Sequence, residues 1–153
     1  MEFINFISEE VINLNMDCTN KEDFFQTVHD KVFGLGYVTE EFKEKILERE
    51  GIFPTGINLG DYGVAIPHTD AKYIKEEFIS ICTFKDKVEL NSMEDQNEVV
   101  PVKLAFVLGL NQPHNQLTVL TELMTIIQNK DLVEKIINSS NKDEVIEMIK
   151  SAI

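Results

Sequence analysis

Arg49 is the one arginine in this chain of 153 residues, against thirteen lysines. Its guanidinium presents a rigid fork of donors that suits a phosphoryl group, where a lysine offers a mobile point charge. Near a helix end it can equally serve as a dipole partner or a surface charge. Thr55, beside Gly56, can donate its hydroxyl to an anion or commit it to a turn hydrogen bond. His68 follows Pro67 and a stretch, residues 51–67, that holds four of the seven glycines and two of the four prolines. That setting specifies its position more tightly than solubility requires, although a turn histidine without a role fits the same place. His114 opens a helix, where unpaired amides can hold a phosphate, or it is an ordinary histidine beside Pro113 at a cap. His29, between Val28 and Asp30, reads as a surface or boundary residue.

Other chemistries find less support. The three histidines are far apart and neither cysteine flanks another ligand, so no zinc-ligand spacing exists. No GxSxG nucleophile turn occurs, and the pair Gly56 and Gly60 lacks the third glycine and the strand-turn-helix setting of a dinucleotide site. No metal and no cofactor is expected.

These side chains must be positioned by a short list of elements. Residues 11–14 read as a short strand. Thr19 with Glu22 forms a capping box for a helix carrying Phe24, Phe25, Val28 and Val32 on one stripe, ended by Gly34 and Gly36. Thr39 caps a second helix that turns Phe42, Ile46 and Leu47 inward, places Arg49 in its last turn and stops before Pro54. A shaped loop then precedes a strand at residues 64–66, and Thr69 or Asp70 starts a brief helix. Residues 78–84 read as a strand, 88–90 as a possible second one, 91–98 as a loose loop and 99–110 as a strand buried on both faces, with Pro101 first or at an edge. Leu117, Leu120, Met124 and Ile127 mark the expected inward stripe of the next helix, and two shorter helices follow. Helices around a few apolar strands make a layered α/β domain.

Composition narrows the function classes. Lysine and arginine number 14 against 27 acidic residues, a net charge of -13, which repels nucleic acid and leaves a basic protein as the partner that charge would steer in. Hydrophobic residues make up 43%, enough for one real core over residues 1–153. The start of the chain lacks the pattern of a signal peptide, no apolar stretch reaches bilayer length, and Cys18 and Cys82 show no disulfide spacing. A cytoplasmic protein without direct membrane insertion is expected.

Glu48-Arg49-Glu50, Pro54-Thr55-Gly56-Ile57 and Gly63-Val64-Ala65-Ile66-Pro67-His68-Thr69-Asp70 together resemble enzyme IIA of the bacterial phosphoenolpyruvate sugar phosphotransferase system. The fructose and mannitol superfamily is the nearest in pattern, and within it the galactitol-type branch; Pro113-His114-Asn115-Gln116-Leu117 is a weaker second signature. The resemblance runs from the Lys21 helix to the end of the chain. It implies a small mixed central sheet flanked by helices, and a single IIA domain of the second type. It also implies that His68 accepts a phosphoryl group from HPr and passes it to a cysteine of enzyme IIB, which serves the membrane enzyme IIC. Arg49 then matches the family's site arginine and His114 its second histidine. Members of the fructose, mannitol and nitrogen-regulatory types often carry Pro-His-Gly, where this chain has Pro67-His68-Thr69-Asp70, which favours galactitol or a related polyol. The alternative is a regulatory module whose phosphorylation state controls a transcription regulator or another partner.

The implied chemistry suits the residues. A neutral imidazole can attack phosphorus in line through Nε2 while Nδ1 is held by a hydrogen bond, and its phosphoramidate stays energetic enough to pass on. Arg49, His114, the Thr55 hydroxyl and helix amides would then surround the equatorial oxygens. Phe53, Ile57 and Leu59 are the apolar candidates for docking a partner around His68.

Overall fold

The computed structural model describes residues 3–153. Two 3-10 turns, Phe3–Phe6 and Glu9–Val11, lead into β1 (Ile12–Met16). Then come α1 (Lys21–Gly34), α2 (Phe42–Ile52), the short strands β2 (Gly56–Asn58) and β3 (Gly63–Ala65), and a 3-10 turn, Ala71–Tyr73. The long strands β4 (Phe78–Asn91) and β5 (Val99–Gly109) follow, and α3 (Pro113–Gln128), α4 (Lys130–Asn138) and α5 (Lys142–Ala152) close the chain. The strands form one sheet in the order β1-β4-β5-β3-β2. β1 with β4 and β3 with β5 are parallel; β4 with β5 and β2 with β3 are antiparallel. The mixed α/β sheet matches the expected class.

Successive side chains of a strand point to opposite faces, and β5 shows what this does. Leu104, Phe106 and Leu108 pack with residues of α3, α4 and α5, whereas Ala105 and Val107 pack with α1 and α2. Nearer its start, Val100 and Val102 face the α1–α2 layer too. Parity changes because Gly63 pairs with Val102 but Val64 with Leu104, which makes Lys103 an extra residue in β5. Gly63 allows this crossing: a Cβ there would run into the Val100 side chain and stand 2.8 Å from the Ile57 carbonyl oxygen.

Helix ends follow local chemistry. Asn20, one residue later than expected, caps α1 by accepting from the Asp23 amide at 2.9 Å, while Asp23 reaches back to the Thr19 amide and hydroxyl. Gly36, at φ +79, closes α1 as anticipated: the amides of Gly36 and Tyr37 return to the carbonyls of Phe33 and Val32. Thr39 does not cap α2 with its side chain; its carbonyl accepts from Phe42 N, and its buried hydroxyl has no partner. Asn141 caps α5 through the Glu144 amide.

Several expectations change. The segment before residue 64 is not all loop, because β2 pairs with β3 across it. Residues 78–91 form one strand, not two, since β4 absorbs the polar stretch at an irregular register between Thr83 and Val88. Pro101 lies third in β5, opposite Glu89, where the pairing with β3 has not yet begun. His29 is buried: its Nδ1 accepts the Lys43 amide at 3.1 Å, and its ring stacks on Phe33 and Phe42, tying α1 to the start of α2. The reversal that matters most for the site concerns α3. Its buried residues are Val119, Leu123, Ile126 and Ile127, whereas Leu117, at 71% exposed, and the half-covered Leu120 and Met124 face outward.

Both cysteines are free, as expected. Burial pushes the Cys82 thiol up to about 12 and, with two nearby aspartates, Cys18 to about 11, so neither is a thiolate at neutral pH. No helix among the described residues is long and apolar enough to cross a membrane.

Candidate functional site

His68 stands just past the carboxyl end of β3, where open α/β sheets commonly place their ligand sites. Its backbone continues alongside β5: the Leu108 amide donates to the Pro67 carbonyl at 2.9 Å, and His68 itself bridges to Leu108. The ring is fixed by a second bond, from Nδ1 to the Ile66 carbonyl oxygen at 2.9 Å. A carbonyl oxygen only accepts, so the proton sits on Nδ1 and the free electron pair on Nε2. Burial lowers the imidazole pKa, the Ile66 bond opposes this, and the Arg49 charge lowers it further. The net effect is a neutral ring at pH 7.

Arg49, Asp70, Leu108, Gln116 and Leu120 line one cleft with His68. Arg49 enters from the last turn of α2, as the sequence indicates. Its guanidinium carbon is 5.4 Å from the Phe53 ring centroid, its Nη1 is 3.7 Å from Asp70 Oδ1, and its buried Nε has no partner. A half-exposed cation with an uncommitted donor, facing a neutral imidazole, suits an incoming anion.

Thr55 is buried and does not line this cleft. Its amide donates to Glu50 Oε2 at 2.7 Å and its hydroxyl to Oε1 at 2.9 Å, while the hydroxyl oxygen accepts from the Ile66 amide at 3.3 Å. The hydroxyl is thus already committed, and it holds Ile66, the residue that orients His68. Glu50 was not anticipated. It extends the buried stripe Phe42–Ile46 by one further turn, and an acidic residue on an apolar stripe is the signal that could have revealed it. Burial raises its pKa to about 7, against the opposing effect of the Thr55 bonds.

A family model described as "Phosphoenolpyruvate-dependent sugar phosphotransferase system, EIIA 2" matches residues 5–152. The chain belongs to this EIIA family. It is a phosphotransferase component of that system, and the family is one of phosphoryl carriers. The galactitol-specific EIIA component of Escherichia coli (strain K12) is 30% identical over 118 residues, 77% of this chain and 78% of that protein. The crystal structure of mannitol IIA from Escherichia coli superposes with a TM-score of 0.71 at 20% identity, covering 94% of this chain and 98% of that one. A complex of mannitol IIA with phosphorylated mannitol IIB from the same organism gives 0.72 at 20% identity, over 95% and 97%.

In this EIIA domain His114 is exposed and lies outside the residues that line the cleft. Two residues further along a helix the direction changes by about 200°, so the side chain that reaches the cleft from this turn is Gln116. Gln116 Nε2 donates to the Leu110 carbonyl at 3.2 Å, which steadies the amide at the cleft wall. Just ahead of α3 an acidic side chain occupies the approach to the helix start. Glu77 accepts from the amides of Asn111 and Gln112, at 2.9 and 3.1 Å, and from Asn115 Nδ2 at 2.7 Å. Of the apolar docking candidates, Phe53 is 60% exposed beside Arg49, whereas Ile57 and Leu59 belong to β2 and its turn, away from the cleft. Among the described residues no three His, Cys, Asp or Glu side chains gather as a metal site.

Proposed function

We propose that this EIIA domain accepts a phosphoryl group on Nε2 of His68 from phospho-HPr and passes it to a cysteine of enzyme IIB, which serves a membrane enzyme IIC for galactitol or a related polyol. The observation that carries this reading is the bond from His68 Nδ1 to Ile66 O, which leaves Nε2 as the nucleophile in a cleft shared with Arg49. The Nε2 electron pair forms the new N–P bond as the donor's N–P bond breaks, its pair returning to the donor's ring nitrogen. Arg49 and the Gln116 amide stabilise the equatorial oxygens, and Glu50 and Thr55 act through Ile66 as positioning residues. His114, placed outside the cleft, takes no phosphoryl group. The galactitol assignment draws on the 30% identical relative and on the Pro67-His68-Thr69-Asp70 sequence.

The test incubates the chain with phosphoenolpyruvate, enzyme I and HPr, followed by intact mass and acid lability. One acid-labile phosphoryl group is expected on the native chain and on His114→Ala, and none on His68→Ala. Normal labelling of His68→Ala would remove His68 from the mechanism. Transfer onward to a galactitol-type IIB, with none to a mannitol-type IIB, checks the substrate branch.

A further inference from the structure

Arg49 has a partner of its own in the cleft. Its Nη1 faces Asp70 Oδ1 at 3.7 Å, and Asp70 stands two residues after His68 on the same cleft wall. Asp70 opens the 3-10 turn Ala71–Tyr73, but its side chain makes no capping bond there, so the carboxylate is free to face the guanidinium. Asp70 is 64% exposed at the side chain, and an ion pair of that exposure is easily given up.

We infer that Asp70 is the resting counter-ion of Arg49, and that it is displaced by the phosphoryl group and thereafter weakens the hold of His68 on that group. The inference rests on the proposed role of His68. When the N–P bond forms at Nε2 and the donor nitrogen recovers its electron pair, about two negative charges arrive beside Arg49. One guanidinium then faces two anions. The phosphoryl group, with the greater charge, takes the fork, and Asp70 is left as an unpaired like charge close by. A carrier has to surrender what it accepts, and a carboxylate two residues from His68 on the cleft wall opposes overly tight retention.

The experiment measures the phosphoryl distribution between HPr and the full chain at equilibrium, for native, Asp70→Asn and Asp70→Glu proteins, at low and high salt. Asp70→Asn should move the distribution toward His68 by roughly threefold to tenfold, with the gap narrowing as salt screens the carboxylate. Asp70→Glu, which keeps the charge, should stay near native. If Asp70→Asn slows loading and release alike and leaves the equilibrium unchanged, Asp70 only aims Arg49 and the inference is wrong. A shift toward HPr overturns it as well. Failure of the native chain to take an acid-labile group at His68 is a separate result, which removes the underlying role and this inference with it.

Discussion

The carbonyl oxygen of Ile66 accepts the Nδ1 proton of His68 at 2.9 Å, and the ring is tied to the strand that precedes it. Because burial depresses the imidazole pKa below the ordinary 6.5, the ring stays neutral to a lower pH than a free histidine does. Protonation of His68 should therefore not limit phosphoryl acceptance between pH 8 and 6.5, and should lower it only below that. The folded chain resists a proton that the unfolded chain binds near 6.5, so this histidine reduces stability as pH drops through that window and contributes nothing above it. An NMR titration of His68 with a midpoint at or above 6.5 would contradict the assignment.

Glu50 has the opposite sign. Its pKa is raised from 4.5 to about 7, so between those values the folded chain holds a proton that the unfolded chain has released. Its contribution to stability is present below pH 4.5 and declines as pH rises toward 7. The stability of the native chain relative to Glu50→Gln, from urea denaturation, should accordingly be greater at pH 5 than at pH 8. A constant difference would show that the carboxyl is not perturbed. Thr55→Val, which frees the Ile66 amide from its hydroxyl partner, should slow phosphorylation on the order of tenfold to a hundredfold through misplacement of His68, with Thr55→Ser restoring it.

Much of this arrangement was legible in the sequence because period and punctuation report backbone geometry directly. The stripe of α1, its glycine stop, β5 and the placement of Arg49 and His68 all follow from such local rules. What escaped depends on choices between equivalent patterns or on distant partners. Leu117, Leu120, Met124 and Ile127 keep helical spacing, but so do Val119, Leu123 and Ile126, and periodicity alone does not say which stripe meets the sheet. Glu77 takes the amides just ahead of α3 from a position 34 residues or more away, and the commitment of Thr55 to Glu50, five residues apart, depends on how the chain turns after α2, which periodicity does not report. β2 is three residues long, below what alternation can reveal.

Arg49 and the turn that opens α3 separate by function. Arg49→Lys keeps a positive charge but loses the planar fork, and it should lower the rate of phosphorylation on the order of tenfold to a hundredfold, with an unchanged thermal midpoint. Gln116→Ala should lower it less, by roughly tenfold, as expected for one neutral donor. His114→Ala should stay within about twofold of native, its position being outside the cleft. Rapid-quench labelling of the three variants by phospho-HPr checks the order, and a larger loss in His114→Ala than in Gln116→Ala would return the second site role to the histidine.

The two faces of α3 give a separate test of how partners approach. Leu123 is fully buried, and Leu123→Ala should cost about 2–5 kcal/mol through lost burial and a residual cavity. Leu117, by contrast, lies 71% exposed, so Leu117→Asp should change stability by no more than about 0.5 kcal/mol. Leu120 lines the cleft with His68, and Leu117 and Met124 lie on the same outward stripe of α3. Docking of phospho-HPr on this exposed apolar stripe is what Leu117→Asp tests. Leu117→Asp should then raise the concentration of phospho-HPr needed for half-maximal labelling about tenfold, at an unchanged maximal rate, since it touches binding and not the reacting atoms. Steady-state labelling against donor concentration reads this directly, and a fall in the maximal rate alone would place Leu117 within the reaction and outside the encounter.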